Sequence, residues 1–201
     1  MTTRRWNSWG NEGSEYTSEL TDNLRQVLEN LVGPGNPLPE STLEDVLARV
    51  PPSRMPAHSL IDTSAEARLR HARGQSLPDW LAVRSGEIGE FPDGVATPET
   101  SAAVAQLLRF AIEQDITVLP YGGGTSVAGH INPESGVRPV LTLSLARLDT
   151  LIALDEDSQL ATFGAGTPGP KIEAQLQARG YTLGHYPQSW ELSTVGGWVA
   201  S

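Results

Sequence analysis

Two short stretches of this 201-residue chain carry residue types suited to holding an anion. Residues 120–130 read PYGGGTSVAGH, and residues 188–201 read QSWELSTVGGWVAS. Gly122, Gly123 and Gly124 can adopt positive φ and carry no Cβ, so the main chain can approach a bulky ligand closely. Consecutive N–H groups in such a turn form an anion-binding nest, to which Thr125 and Ser126 add hydroxyl donors. A pyrophosphate suits that nest; a plain glycine turn between strands is the alternative. In the second stretch Ser193 and Thr194 can bind ribose or phosphate oxygens, while Gly196 and Gly197 let the backbone lie against a flat ring. Trp198 beside them either stacks on such a ring or fills core.

Two other phosphate-binding patterns fail. Gly124 and Gly129 have the Walker A spacing, but His130 and Ile131 stand where that motif needs lysine and a hydroxyl. The dinucleotide pattern G-x-G-x-x-G fails because Val127 holds the third glycine position. The cradle is a loop of another type.

The rest of the composition narrows the chemistry. Fourteen basic residues against 24 acidic ones give a net charge of −10, a poor match to nucleic acid, whose affinity comes from clustered cations. Lys171 is the one lysine. An anion must therefore be held by backbone N–H groups and a few arginines. The chain has no cysteine, which removes disulfides, thiolate metal sites and a cysteine nucleophile together. Asp155, Glu156 and Asp157 read as a solvated hairpin tip rather than a metal site. Paired Arg4 and Arg5 have no apolar stretch behind them, and no window approaches the ~18 apolar residues of a membrane span. A cytoplasmic protein is expected. The single histidines are weaker signals: His71 reads as a surface residue, His130 as a brace for the glycine loop, and His185 as a neighbour of the second stretch.

The elements that must position these stretches follow from the hydrophobic spacing. Prolines 34, 37, 39, 51, 52 and 56 break residues 1–61 into an extension of short helices. Leu20, Leu24, Val27, Leu28 and Leu31 mark one helix after Thr17 and Ser18, and a Ser41–Glu44 capping box starts a second. Helices are predicted over 64–73 and 76–84, ended by Gly74 and Gly86. A strand at 95–96 leads to a helix capped by Thr97 with Pro98 in its first turn. A buried strand at 116–119 runs into the glycine loop, and residues 139–145 alternate as a strand. Residues 151–154 and 160–163 form a hairpin, a helix runs from Thr167 to Gly180, and a last strand covers 181–183. This is expected to be an α+β domain with its helices on one side of a sheet.

LPYGGGTSV with its upstream ATPETSAAVAQLLRFAIEQDITV, followed by GHYPQSWELSTVGGWVAS, resembles the FAD-binding subdomain of the vanillyl-alcohol oxidase / p-cresol methylhydroxylase (PCMH) superfamily. Within it the chain is most similar to the alkyldihydroxyacetonephosphate synthase group and its bacterial relatives, which the opening RRWNSWG also resembles. The resemblance implies a PCMH-type mixed sheet with flanking helices over 62–201, preceded by the helical extension over 1–61. It implies that FAD lies with its pyrophosphate on Pro120, Tyr121, Gly122, Gly123, Gly124, Thr125 and Ser126. Gln188, Ser189, Trp190, Glu191, Leu192, Ser193 and Thr194, with Gly196 and Gly197, would line the rest. Relatives with a histidyl-linked flavin carry a histidine after the glycines; Thr125 stands there, so the FAD is expected to be non-covalent. The group's histidine-rich patch matches LRHARGQSL, where Arg73 and Gln75 replace two of the histidines.

The implied function is ether-forming alkyl/acyl exchange on a flavin, acting on a small-molecule substrate, in a full-length protein expected to be a homodimer. An FAD-dependent 2-hydroxy-acid dehydrogenase or oxidase is the alternative, and an inactive flavin-binding fragment the third. The end at GGWVAS, without a polar tail, reads as the front of a longer protein whose catalytic residues lie past residue 201.

Overall fold

The computed structural model describes residues 4–13, 21–36 and 38–200. Its first five helices start where a side-chain oxygen takes an otherwise orphaned N–H. α1 (Asp22–Val32) begins behind Thr21, whose Oγ1 accepts from the Leu24 N–H at 3.4 Å. The start expected at Thr17 and Ser18, and Leu20 with it, lies outside the described residues. α2 (Leu43–Leu47) is capped by Thr42 instead of Ser41, because the Ser41 hydroxyl is turned away to donate to the Ser85 carbonyl at 2.8 Å.

β1 (Ile61–Asp62) precedes α3 (Ala65–Arg70), which Ser64 caps. The helix stops short of residue 73 because its last turn tightens: Ala72 N–H bonds Leu69 O at 3.1 Å, and Gly74 N–H goes to Asn132 Oδ1 at 2.9 Å. α4 (Leu77–Ser85) has a full capping box between Ser76 and Asp79 and ends at Gly86 with φ of 76°. After β2 (Gly94–Ala96), α5 (Ser101–Glu113) starts at Thr100, not Thr97, since Thr100 Oγ1 takes the Ala103 N–H at 3.1 Å.

β3 (Thr117–Tyr121) and β4 (Val140–Ser144) complete a four-stranded sheet in the order β1-β2-β4-β3. β2 and β3 both run parallel to β4, and β1 is antiparallel to β2. All five residues of β4 are buried, so the alternation expected over 139–145 has no exposed face. A central parallel strand is covered on both sides. β5 (Leu151–Asp155) and β6 (Leu160–Phe163) pair as the expected hairpin in a sheet of their own.

α6 (Gly169–Gln177) follows, then α7 (Val195–Ala200). The strand expected at 181–183 is absent because a carboxylate takes its N–H groups: Glu173 Oε1 accepts from Leu183 at 2.9 Å and Gly184 at 3.3 Å. With its parallel and antiparallel strands, the whole is a mixed sheet with flanking helices.

Two apolar clusters hold these elements. One joins Val46 of α2 to Leu69, Ala72, Val83, Ile88 and Phe91, with Trp6 packed against it. The other joins Ala96, Leu107, Ala111, Ile116, Leu141 and Leu143 across the sheet and α5. The first anchors the amino-terminal segment; the second sets the strand ends from which the glycine loop departs.

Candidate functional site

β3 and β4 lie in register at their carboxyl ends, Tyr121 opposite Ser144, and the glycine loop leaves from there. Ligands of open α/β sheets sit outside the carboxyl ends of the strands. A cavity of about 520 Å³ opens at this place, within the ~300–1,000 Å³ usual for small-molecule sites. Its wall includes Tyr121, Gly122, Gly123 and Ser144 from the strand ends, and Glu191, Leu192 and Thr194 from the second stretch.

The two stretches interlock. A Cβ on Gly122 would run into Thr194 Oγ1, and one on Gly123 into the Leu192 carbonyl. Gly124 has φ of 67°, and a Cβ there would strike the Tyr121 hydroxyl. So the triplet is required by close packing at 122 and 123, and by conformation as well at 124. The second stretch is held from its far side: Thr194 bridges Pro168, Val195 N–H bonds Thr167 O at 3.0 Å and Gly196 N–H bonds Ala165 O at 2.9 Å.

Several residues expected at the ligand do not line the cavity. Pro120 is an exposed strand residue, and Thr125 is half-buried outside the wall. Ser126 faces the turn after α3: its carbonyl accepts from the Gln75 N–H at 2.7 Å, and its hydroxyl lies 3.4 Å from His130 Nδ1. Gln188 and Ser189 build the turn of the second stretch; Ser189 has φ of 61°, and its carbonyl takes the N–H groups of Leu192 and Ser193 at 2.9 and 2.7 Å. The Ser193 hydroxyl accepts from Trp198 Nε1 at 2.7 Å. Trp198 stacks on Trp190 with ring centroids 6.1 Å apart, and Trp190 covers Gly169. Gly196 and Gly197 sit inside α7, where Gly196 lets the helix approach Ala165.

The wall also holds residues the sequence did not flag for the site. Arg4, Arg5, Arg70 and Arg73 line it against the carboxylates of Asp149 and Glu191, a cationic pocket in an acidic chain. The Arg4 guanidinium donates to the Gly123 carbonyl. His71, read as a surface residue, lies in the wall with its ring 4.6 Å from that of Tyr121 and its Nδ1 2.8 Å from the Ala67 carbonyl. Burial, with Arg4 and Arg70 adding repulsion, pushes the His71 pKa down against the opposing Ala67 bond, so the imidazole is neutral at neutral pH. Burial pushes the Tyr121 phenol up despite Arg4.

Two hydroxyls in the wall are buried without a partner, Thr194 Oγ1 and Ser8 Oγ. A buried polar atom left unpaired is costly. With arginines and glycine backbone around them, these donors suit a phosphate-bearing group.

Residues 92–201 match the family model described as FAD binding domain. The chain belongs to this family. FAD is thus its cofactor, and the pocket's donors fit the pyrophosphate of that molecule. Over 224 aligned residues it is 30% identical to the alkyldihydroxyacetonephosphate synthase of Caenorhabditis elegans, covering 98% of this chain and 38% of that protein. The synthase of Dictyostelium discoideum is 35% identical over 67% of this chain and 22% of its own length. A solved structure of alkyldihydroxyacetonephosphate synthase superposes with a TM-score of 0.81 at 26% identity, over 98% of this chain and 42% of the other. The chain thus spans about two fifths or less of these relatives. No helix among the described residues is long and apolar enough to cross a membrane.

Proposed function

We propose that this chain is the FAD-holding part of a flavoenzyme of the alkyldihydroxyacetonephosphate synthase type, with the pyrophosphate seated in the cavity whose wall Gly122, Gly123 and Thr194 share. The observation that carries the reading is the unpaired Thr194 hydroxyl, 5% exposed, beside two glycines in a cavity lined by four arginines. When bound, FAD supplies the redox-active ring on which alkyl/acyl exchange would take place. The residues of this chain bind and orient: Gly122 and Gly123 let the two stretches close on each other at the cavity wall, Thr194 and the arginines supply donors, and buried Tyr121 keeps water out. Thr125 offers no imidazole, so the flavin is held without a covalent bond. Pro120, Thr125, Ser126, Gln188, Ser189, Trp190, Ser193 and the Gly196–Gly197 pair act in this reading by shaping the two stretches.

Titration with FAD, followed by flavin absorbance and calorimetry, tests this. One FAD per chain, released into the supernatant by acid, is expected. A protein that takes up no added FAD overturns the reading, and flavin that stays with the acid precipitate overturns the non-covalent part.

A further inference from the structure

The amino-terminal segment touches the glycine loop across a sequence separation of 119 residues, and its construction is tight. Arg4 and Asn11 form an antiparallel bridge, and Arg5 N–H bonds Gly10 O at 3.0 Å, closing residues 4–11 into a hairpin-like turn. Trp6 packs on the cluster of Val46, Leu69 and Phe91. Arg70 of α3 donates to the Arg4 carbonyl at 2.8 Å while its guanidinium pairs with Glu66 at 2.9 Å. So the segment is fixed to α3 and to the core, and presents Arg4 and Ser8 to the cavity.

Each of those two side chains brings a polar group to the cavity wall. The Arg4 guanidinium takes the carbonyl of Gly123. Because a trans peptide is planar, its C=O and the following N–H point in opposite directions, so this bond sets the direction of the Gly124 N–H. Neither Gly123 nor Gly124 N–H is taken by a backbone carbonyl among the described residues. The Ser8 hydroxyl is buried and unpaired, as Thr194 is across the same cavity.

We propose that residues 4–11 are a working wall of the cofactor site: Arg4 is a positioning residue that holds the glycine-loop peptide plane, and Ser8 donates to a phosphate-bearing group of the bound ligand. The inference rests on the FAD reading above and adds a part of the chain outside residues 92–201, the span of the matched family model. Its ligand chemistry is a di- or monophosphate oxygen. ADP, pyrophosphate and riboflavin distinguish the end of FAD that the segment meets.

The test compares the wild-type chain with Ser8→Ala, Arg4→Met and Arg4→Lys, reading melting temperature without ligand and affinity for FAD, ADP, pyrophosphate and riboflavin. Ser8→Ala removes an unpaired buried hydroxyl, so the ligand-free protein should melt at the same temperature or higher. Affinity for FAD and for ADP or pyrophosphate should fall about tenfold, the loss of one hydrogen bond to a charged group, with riboflavin unaffected. Arg4→Met should weaken the phosphate-bearing ligands by a similar factor or more, with partial recovery in Arg4→Lys, whose ammonium still reaches a carbonyl but lacks the planar fork. Phosphate-ligand affinities unchanged in both Ser8→Ala and Arg4→Met would overturn the inference, as would a loss confined to riboflavin. Failure of the wild-type chain to bind FAD is a separate outcome that overturns the underlying reading.

Discussion

Buried polar groups occur at two kinds of place in this molecule, and their partners differ. Away from the cavity the buried carboxylates are satisfied. Asp93, 3% exposed, takes one guanidinium edge of Arg54, Nε at 2.9 Å and Nη2 at 2.8 Å, the Arg54 backbone N–H at 3.0 Å and the Val140 N–H at 2.8 Å. Glu173, 6% exposed, takes Thr182 Oγ1, Gln177 Nε2 and two backbone N–H groups. At the cavity, Thr194 and Ser8 have no partner. Carboxylates that hold the fold together are saturated with donors, whereas these two hydroxyls of the cavity wall have no partner in the fold. Thr142 is the exception among the described residues, an unpaired hydroxyl in the middle of β4 away from the cavity wall. We have no physical account of it.

The comparison breaks most visibly at Asp93. Asp93→Ala leaves Arg54 half-exposed and the Val140 N–H buried and unpaired, and should cost roughly 2–4 kcal/mol in urea unfolding. The folded fraction should keep its FAD affinity. A change in affinity without a change in stability would assign Asp93 to the ligand instead of the fold.

Glu173→Gln is the milder case. The amide keeps one accepting oxygen, so two of the four donors lose their acceptor and the other two lose its charge, for roughly 1–2 kcal/mol. Hydrogen exchange at Leu183 and Gly184 should accelerate while β4 stays protected. Equal acceleration in both places would show that the carboxylate supports more than its own loop.

The same two groups set the acid response. Burial would raise both carboxyls, but the hydrogen bonds win and hold both below the ordinary carboxylate range. A depressed folded pKa means the unfolded chain binds the proton first. Their contribution is therefore fully present above the unfolded value, about 4, and is lost as pH falls through the lower folded values. His71 acts earlier in the same direction. Its lowered pKa means that stability begins to fall below about 6.5, where the unfolded imidazole takes a proton that the buried one resists. His71→Gln should flatten the melting-temperature profile between pH 7 and 5 and leave the drop below pH 4 in place. An unchanged slope between pH 7 and 5 would contradict the burial argument.

How much of this was legible in the sequence depends on the range of the interaction. Local signals were readable: the helix starts near Ser64 and Ser76, the Gly86 stop, the β5–β6 hairpin and the glycine loop behind β3 all follow from neighbouring residues. The caps at Thr42 and Thr100 differ from expectation because neighbouring hydroxyls competed and tertiary contacts chose; Ser41 was drawn off by Ser85. The pairing of the two stretches came from resemblance, whereas the reason for the glycines did not. They make room for Leu192, Thr194 and Tyr121, contacts no local pattern encodes. Arg4, Ser8 and His71 were hidden for the same reason, since a basic or polar residue on a short element carries no mark of the cavity it reaches.

Thr194→Val is the smallest change and the most direct test of the central claim. It keeps the side chain's shape and removes only the unpaired hydroxyl, so a stability melt and an FAD titration on one sample separate fold from ligand. The account predicts that the ligand-free protein is as stable as the wild type or slightly more so, while FAD binds about tenfold more weakly. Unchanged FAD affinity together with a loss of about 1 kcal/mol or more in stability would contradict it, placing the Thr194 hydroxyl in the fold and not at the cofactor.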